Sequence, residues 1–131
     1  MSKVEKFEDL RCWQEARLLV REIFLIGEYG KLAKDYDTNS QLKRAALSTM
    51  NNIAEGFGKY SSKEFIRYLD TASNSVSEVK NILYVLLDLN YLAVEKIKAS
   101  KDKADEVKAR TLALIRYLIK RETKTPKHSN T

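Results

Sequence analysis

Apolar residues recur along this chain at steps of three and four, the period of helices buried on one side. In the first such stretch, Cys12, Trp13, Ala16, Leu19, Val20, Ile23, Phe24 and Ile26 share one arc. It predicts a helix from about Asp9, a good N-cap, to Tyr29 or Gly30. Leu18 and Leu25 fall one heptad apart on the other side, among Arg11, Gln14, Arg21 and Glu22. Residues 31–38 read as a polar connection. A second helix is expected from Asn39 or Ser40 to Gly56, striped by Leu42, Ala46, Thr49, Ile53 and Phe57 and widened by Leu47, Met50 and Ala54. The third starts after Ser61 or Ser62 and runs to about Leu89, with Asn90 as a left-handed terminator. Its stripe is Phe65, Leu69, Ala72, Val76, Val79, Leu83, Leu86 and Leu87. The fourth begins between Ala93 and Asp105 and ends near Arg121, with Val107, Thr111, Leu114, Ile115 and Leu118 apolar and Lys101 and Lys108 interrupting that face or snorkelling from it.

Four amphipathic helices with short connections predict an all-α, antiparallel up-and-down four-helix bundle over residues 1–122, followed by a disordered basic tail over residues 123–131. Gly56 or Gly58 is expected to take a left-handed conformation in a tight turn, and Ser61, three residues before Glu64, offers a capping box for the next helix.

Composition narrows the class. Of 131 residues 44% are hydrophobic and 32% charged, which fits a soluble helical domain. The lone Cys12 excludes an internal disulfide and suits a reducing, cytoplasmic compartment; no apolar run predicts a membrane span. Cys12 and Trp13, on the apolar arc, read as core residues. The single histidine, His128, falls in the tail, there is no Glu-x-x-His pair, and Gly56-x-Gly58 follows no strand, so neither catalysis, a metal site nor a cofactor is expected.

The net charge of +6 is uneven: residues 96–131 carry 11 Lys or Arg against 4 Asp or Glu, and the rest of the chain 13 against 14. A basic end of this kind favours polyanions. Arg116, Lys120 and Lys124 recur every four residues away from the apolar stripe, with Arg110 and Arg121 at its borders, and form the candidate nucleic-acid strip. Lys43, Lys59 and Lys63 are the reserve site, and of seven tyrosines only Tyr117 lies among basic residues in sequence. Surplus apolar positions suggest a second buried surface between copies of the chain: Leu18, Leu25, Leu47 and Met50, together with Arg44 and Glu55 from the polar strip Arg44, Ser48, Asn52 and Glu55.

The text itself resembles a known family. Glu8-Asp9-Leu10-Arg11-Cys12-Trp13-Gln14-Glu15-Ala16 resembles its opening, Gln41-Leu42-Lys43-Arg44-Ala45-Ala46-Leu47-Ser48 its second block, and Asn52-Ile53-Ala54-Glu55-Gly56-Phe57-Gly58 its signature. The spacing of Ala72, Ser75 and Glu78 resembles a further block. The family is that of four-helix-bundle proteins encoded in intervening sequences of bacterial 23S ribosomal RNA genes, related to the accessory variability determinant of diversity-generating retroelements. The chain departs from it in having Met50-Asn51 where a proline often stands. The resemblance implies a ring-like homo-oligomer, a pentamer, and contact with RNA or DNA; in the retroelement branch it implies a reverse transcriptase as partner. The expected function is therefore a non-catalytic nucleic-acid accessory protein, and the alternative is a protein–protein scaffold with no nucleic-acid ligand.

Overall fold

A computed structural model describes residues 4–124. The described residues hold four long helices and no strand: α1 (Arg11–Ile26), α2 (Tyr36–Phe57), α3 (Ser62–Asp88) and α4 (Val94–Lys124), with short 3-10 turns at Phe7–Asp9 and Leu32–Lys34. α1 and α3 each pack against both α2 and α4, so the four form a closed bundle with α1 and α3 on one diagonal. The core is the predicted set of stripes: Leu19, Ile23, Leu42, Ile53, Leu69, Val76, Leu83, Leu86 and Val107 are wholly buried. Each such aliphatic side chain contributes about 1.5–3 kcal/mol by leaving water.

Several boundaries differ from the expectation. Asp9 does not cap α1; it lies in the preceding 3-10 turn, and Leu10, buried and extended, occupies the cap position with no side-chain bond. α1 stops at Ile26, and Asn39 Nδ2 donates to the Gly27 carbonyl at 2.8 Å, satisfying a terminal acceptor. Residues 31–38 are not merely polar linker, because Leu32 is fully buried and α2 already begins at Tyr36. Asp35 is its cap: its carboxylate accepts from Thr38 N at 3.1 Å and from the Thr38 and Tyr91 hydroxyls, each at 2.9 Å. The Thr38 amide, then the Tyr91 hydroxyl, hold the Asp35 carboxyl below its ordinary range. Phe24, expected in the core, is exposed and lies 4.9 Å from Lys43 Nζ.

α4 opens at Val94 and runs through residue 124, beyond the expected end near Arg121; the rest of the expected tail, residues 125–131 including His128, lies outside the described residues. Its early stripe is Ile97, Ser100 and Ala104, all buried. Lys101 and Lys108 snorkel past it: Lys101 Nζ donates to Tyr84 Oη at 2.8 Å and Lys108 Nζ donates to Ser77 Oγ. α1 is tied to α4 by Lys103 Nζ, which reaches Glu15 at 2.8 Å and Glu106 at 3.4 Å.

The expectation for the glycines fails. Gly58 has φ −80° and ψ 0°, and Gly56 lies inside α2; among the described residues the left-handed ones are Gly30 (φ 59°) and, as expected, Asn90 (φ 55°). Gly56 is glycine for a different reason, since a Cβ there would stand 2.6 Å from Tyr68 Cβ and 3.0 Å from the Phe65 ring. It lets α2 and α3 approach closely. Ser61 does cap α3, accepting from Glu64 N at 3.1 Å, while the Glu64 carboxylate turns to Arg67 rather than closing the box.

Two predictions follow from these contacts. Gly56→Ala should cost about 1–3 kcal/mol, since Tyr68 Cβ is backbone-fixed and must move, whereas Gly58→Ala should be neutral or stabilise by up to about 1 kcal/mol; urea denaturation of both variants checks the contrast. Lys103, chiefly through its hydrogen bond, lowers the Glu15 pKa. Its contribution is therefore present above the ordinary glutamate pKa of about 4.3 and lost as pH falls through the lowered value. Glu15→Gln should cost about 1 kcal/mol at pH 7 and next to nothing well below the lowered value, read as converging melting temperatures on acidification.

Candidate nucleic-acid interface

Arg116 and Lys120 are exposed on α4, as is Arg121 one residue on. Lys124 continues the same turn sequence of the helix. Arg110, also exposed, stands well before them toward the middle of the bundle, where its charge helps lower the Glu15 pKa. The strip thus runs from mid-bundle to the end at which α3 starts.

That end holds more than α4. The turn between α2 and α3 folds beside the last turns of α4, and together they line a cleft of about 440 Å³. Phe57, Phe65, Leu114 and Leu118, with Val4 and Leu10 from the segment before α1, form its apolar part, and Phe57 and Phe65 meet edge to face at 6.0 Å. Lys59, Tyr60, Ser61 and Ser62 border it from the turn, and Tyr117 and Arg121 from α4. Lys59 Nζ sits 5.0 Å from the centre of the Tyr68 ring, and Tyr60 projects fully into solvent. The first turn of α3 opens here, adding the partial positive charge of a helix N-terminus. Cations for phosphate, two tyrosine faces and an apolar floor are the parts from which sites for unpaired nucleic acid are built.

Only part of each candidate set meets at the cleft, which Arg116 and Lys120 do not line. Lys59 joins Arg121 at the cleft, Lys63 is exposed in the first turn of α3, and Lys43 belongs elsewhere, over Phe24. Tyr60 was missed. A tyrosine between Lys59 and Ser61 in a predicted turn has no apolar stripe to join, and that was the available signal.

The residues expected between copies divide. Leu18 and Leu25 are exposed on α1. Leu47 and Met50 are half-buried, and Met50 packs against the core. Arg44 and Glu55 are exposed, with Arg44 Nη1 donating to Ser40 Oγ at 2.7 Å. The rest of that polar strip works inside the bundle: Ser48 Oγ bonds Ser75 Oγ of α3 at 2.9 Å, and Asn52 Nδ2 donates to the Ser48 carbonyl at 2.8 Å.

Elsewhere the chemistry is structural. Burial pushes the Cys12 thiol up to about 11, which leaves it protonated near neutral pH. Trp13 packs edge-on to Phe7 at 5.2 Å with the Arg17 guanidinium 5.8 Å from its ring. Among the described residues no helix is long and apolar enough to cross a membrane, and no three His, Cys, Asp or Glu gather as metal ligands would.

An all-helical four-helix protein with a basic, aromatic-edged end is the class that these features define. Residues 8–113 match the family described as 23S rRNA-intervening sequence protein, and the chain belongs to that family. It is also similar to a crystal structure from Bacteroides thetaiotaomicron, a protein of unknown function from the S23 ribosomal protein family, with a TM-score of 0.71 and 21% identity. That match covers 79% of this chain and 97% of the other, and it shows a shared fold. Comparison with curated proteins gives no match.

Proposed function

We propose that this chain is a non-catalytic, self-associating protein that holds single-stranded stretches of nucleic acid at the basic end of its bundle, in the cytoplasm. The carrying observation is the cleft at which Tyr117 and Arg121 of α4 meet Lys59 and Tyr60 of the α2–α3 turn, with Arg116 and Lys120 exposed on the same last turns of α4. The cations supply sequence-tolerant attraction to phosphate, and the tyrosines supply stacking faces that accept any base. The family's description ties its members to 23S rRNA, which makes RNA the first ligand to test. Self-association, for which the exposed Leu18 and Leu25 provide apolar surface, sets several basic ends side by side. Modest contacts then combine by avidity.

Titration of fluorescently labelled single-stranded RNA of mixed sequence at two salt concentrations tests this reading. Binding should fall steeply with salt, by about 0.7 in log–log slope per phosphate contact, and show little base preference. Changing Arg116, Lys120 and Arg121 together to Gln should lower both affinity and slope. Tyr60→Ala should lower affinity by about 1–3 kcal/mol with the slope unchanged. Absence of binding at low salt would overturn the proposal and leave the protein–protein scaffold.

A further inference from the structure

The outward faces of the two diagonal helices carry opposite charge. On α1 the exposed residues are Arg11, Gln14, Arg17, Leu18, Arg21, Phe24 and Leu25, three cations and no anion. Glu15 is turned toward Lys103, Glu22 is half-buried, and Glu8 and Glu28 lie beyond the two ends of the helix. From residue 70 onward, the exposed face of α3 holds Asp70, Glu78 and Asp88 and no exposed Lys or Arg. Lys80, its one cation there, is half-buried and paired with Asp105, while Lys101 and Lys108 of α4 reach only the flank of this face, at Tyr84 and Ser77. Among the described residues, no ion pair engages Arg11, Arg17, Arg21, Asp70, Glu78 or Asp88. Each face also carries exposed apolar residues: Leu18 (42%) and Leu25 (49%) on α1, Val85 (44%) and Leu89 (51%) at the end of α3.

We infer that α1 of one copy docks side by side, in parallel, on α3 of the next, a head-to-tail interface. The inference rests on the self-association reading above and names the surfaces that meet. Heights along the bundle carry it. α1 and α3 run in the same direction, and Gly30, just past α1, packs against the Tyr91 carbonyl, just past α3, so both helices end at about one level. At 1.5 Å per residue back from that end, Arg17 stands about 14 Å down and Glu78 about 15 Å. Arg11 is at about 22 Å and Asp70 at about 27 Å, within reach of long side chains. Leu25 is level with Val85 and Leu89. A cleft of about 430 Å³ on α1, lined by Trp13, Arg17, Leu18 and Arg21 among others, stands at the height of Glu78. Opposite charges and apolar ends thus come into register without axial shift. Successive copies then stay in one layer, which a closed ring requires and a helical filament does not.

Helix lengths agree with this arrangement. α3 has 27 residues and α1 has 16, and the excess of α3 lies at the basic end. Docking α1 on residues 70–89 leaves residues 59–67 and the cleft uncovered for nucleic acid.

Sedimentation of the full chain, with helicity checked by circular dichroism, tests the inference. Arg17→Glu with Arg21→Glu, and separately Asp70→Arg with Glu78→Arg, should each weaken self-association about tenfold or more at low salt. All four changes in one chain should restore it, because α1 then carries the anions and α3 the cations at every junction; mixing the two variants should restore pairwise contacts between them. The milder pair Arg17→Gln with Arg21→Gln should weaken association less. An oligomeric wild type unaffected by either reversed pair, or a fourfold variant that does not re-associate, would overturn this interface while leaving assembly intact. A wild type that sediments as a 15.1 kDa monomer at micromolar concentration would overturn the assembly reading together with it.

Discussion

The close approach of α2 and α3 at Gly56 is the constraint on which the rest of the structure depends. Small residues keep the two helices near each other along their length: Ala45, Ala46 and Thr49 on α2, and Ala72, Ser73 and Ser75 on α3, are all buried. At Gly56 the fit leaves no room for a side chain beside Tyr68. Helices this close need only residues 58–61 to join them, and Ser61 starts α3 at once. The turn is therefore held where the last turns of α4 pass. Lys59 and Tyr60 face Tyr117 and Arg121 because the helices beneath them cannot separate.

The two ends of the bundle differ as a result. At one, Asp35 caps α2 and accepts from Tyr91, and Gly30 takes a left-handed conformation against the Tyr91 carbonyl. Both inter-helix connections are fastened to each other there. The opposite end has an exposed tyrosine, a cleft and an overhanging α4 in place of such a clasp. A bundle gains rigidity from satisfying its loops and gains a binding surface from leaving groups presented. This chain assigns those tasks to different ends.

Periodicity made the core legible, and the stripe of α3 from Leu69 to Leu86 is buried as expected. What it could not show were features whose cause lies in another element. Asp9 and Asp35 are equally good caps in isolation; Asp9 lies in a 3-10 turn short of its helix, whereas Asp35 caps α2 and also accepts from Tyr91, 56 residues away. Gly56 looked like a turn glycine, yet its role is set by Tyr68 across the interface. Phe24 fits the apolar arc of α1, but that arc is wider than the face the bundle covers. The site followed the same rule. Arg116 and Lys120 were readable because one helix aligns them, whereas Tyr60 joins Tyr117 only through tertiary folding. The sequence resemblance and the family match agree over most of the chain.

The charge distribution links the two proposed activities. Head-to-tail docking neutralises the cations of α1 against the anions of α3, so the formal charge of +6 per chain is left chiefly at the basic ends. Gathering those ends raises the local positive potential, which opposes assembly and attracts polyanions. A nucleic acid lying across several copies relieves the repulsion that assembly creates. Binding and assembly then share one free-energy term and strengthen each other reciprocally, as linkage requires. Salt acts on both sides of this balance, screening the attraction between α1 and α3 as well as the repulsion between basic ends. In the proposed interface, Leu25 set against Val85 and Leu89 is the part that salt leaves in place.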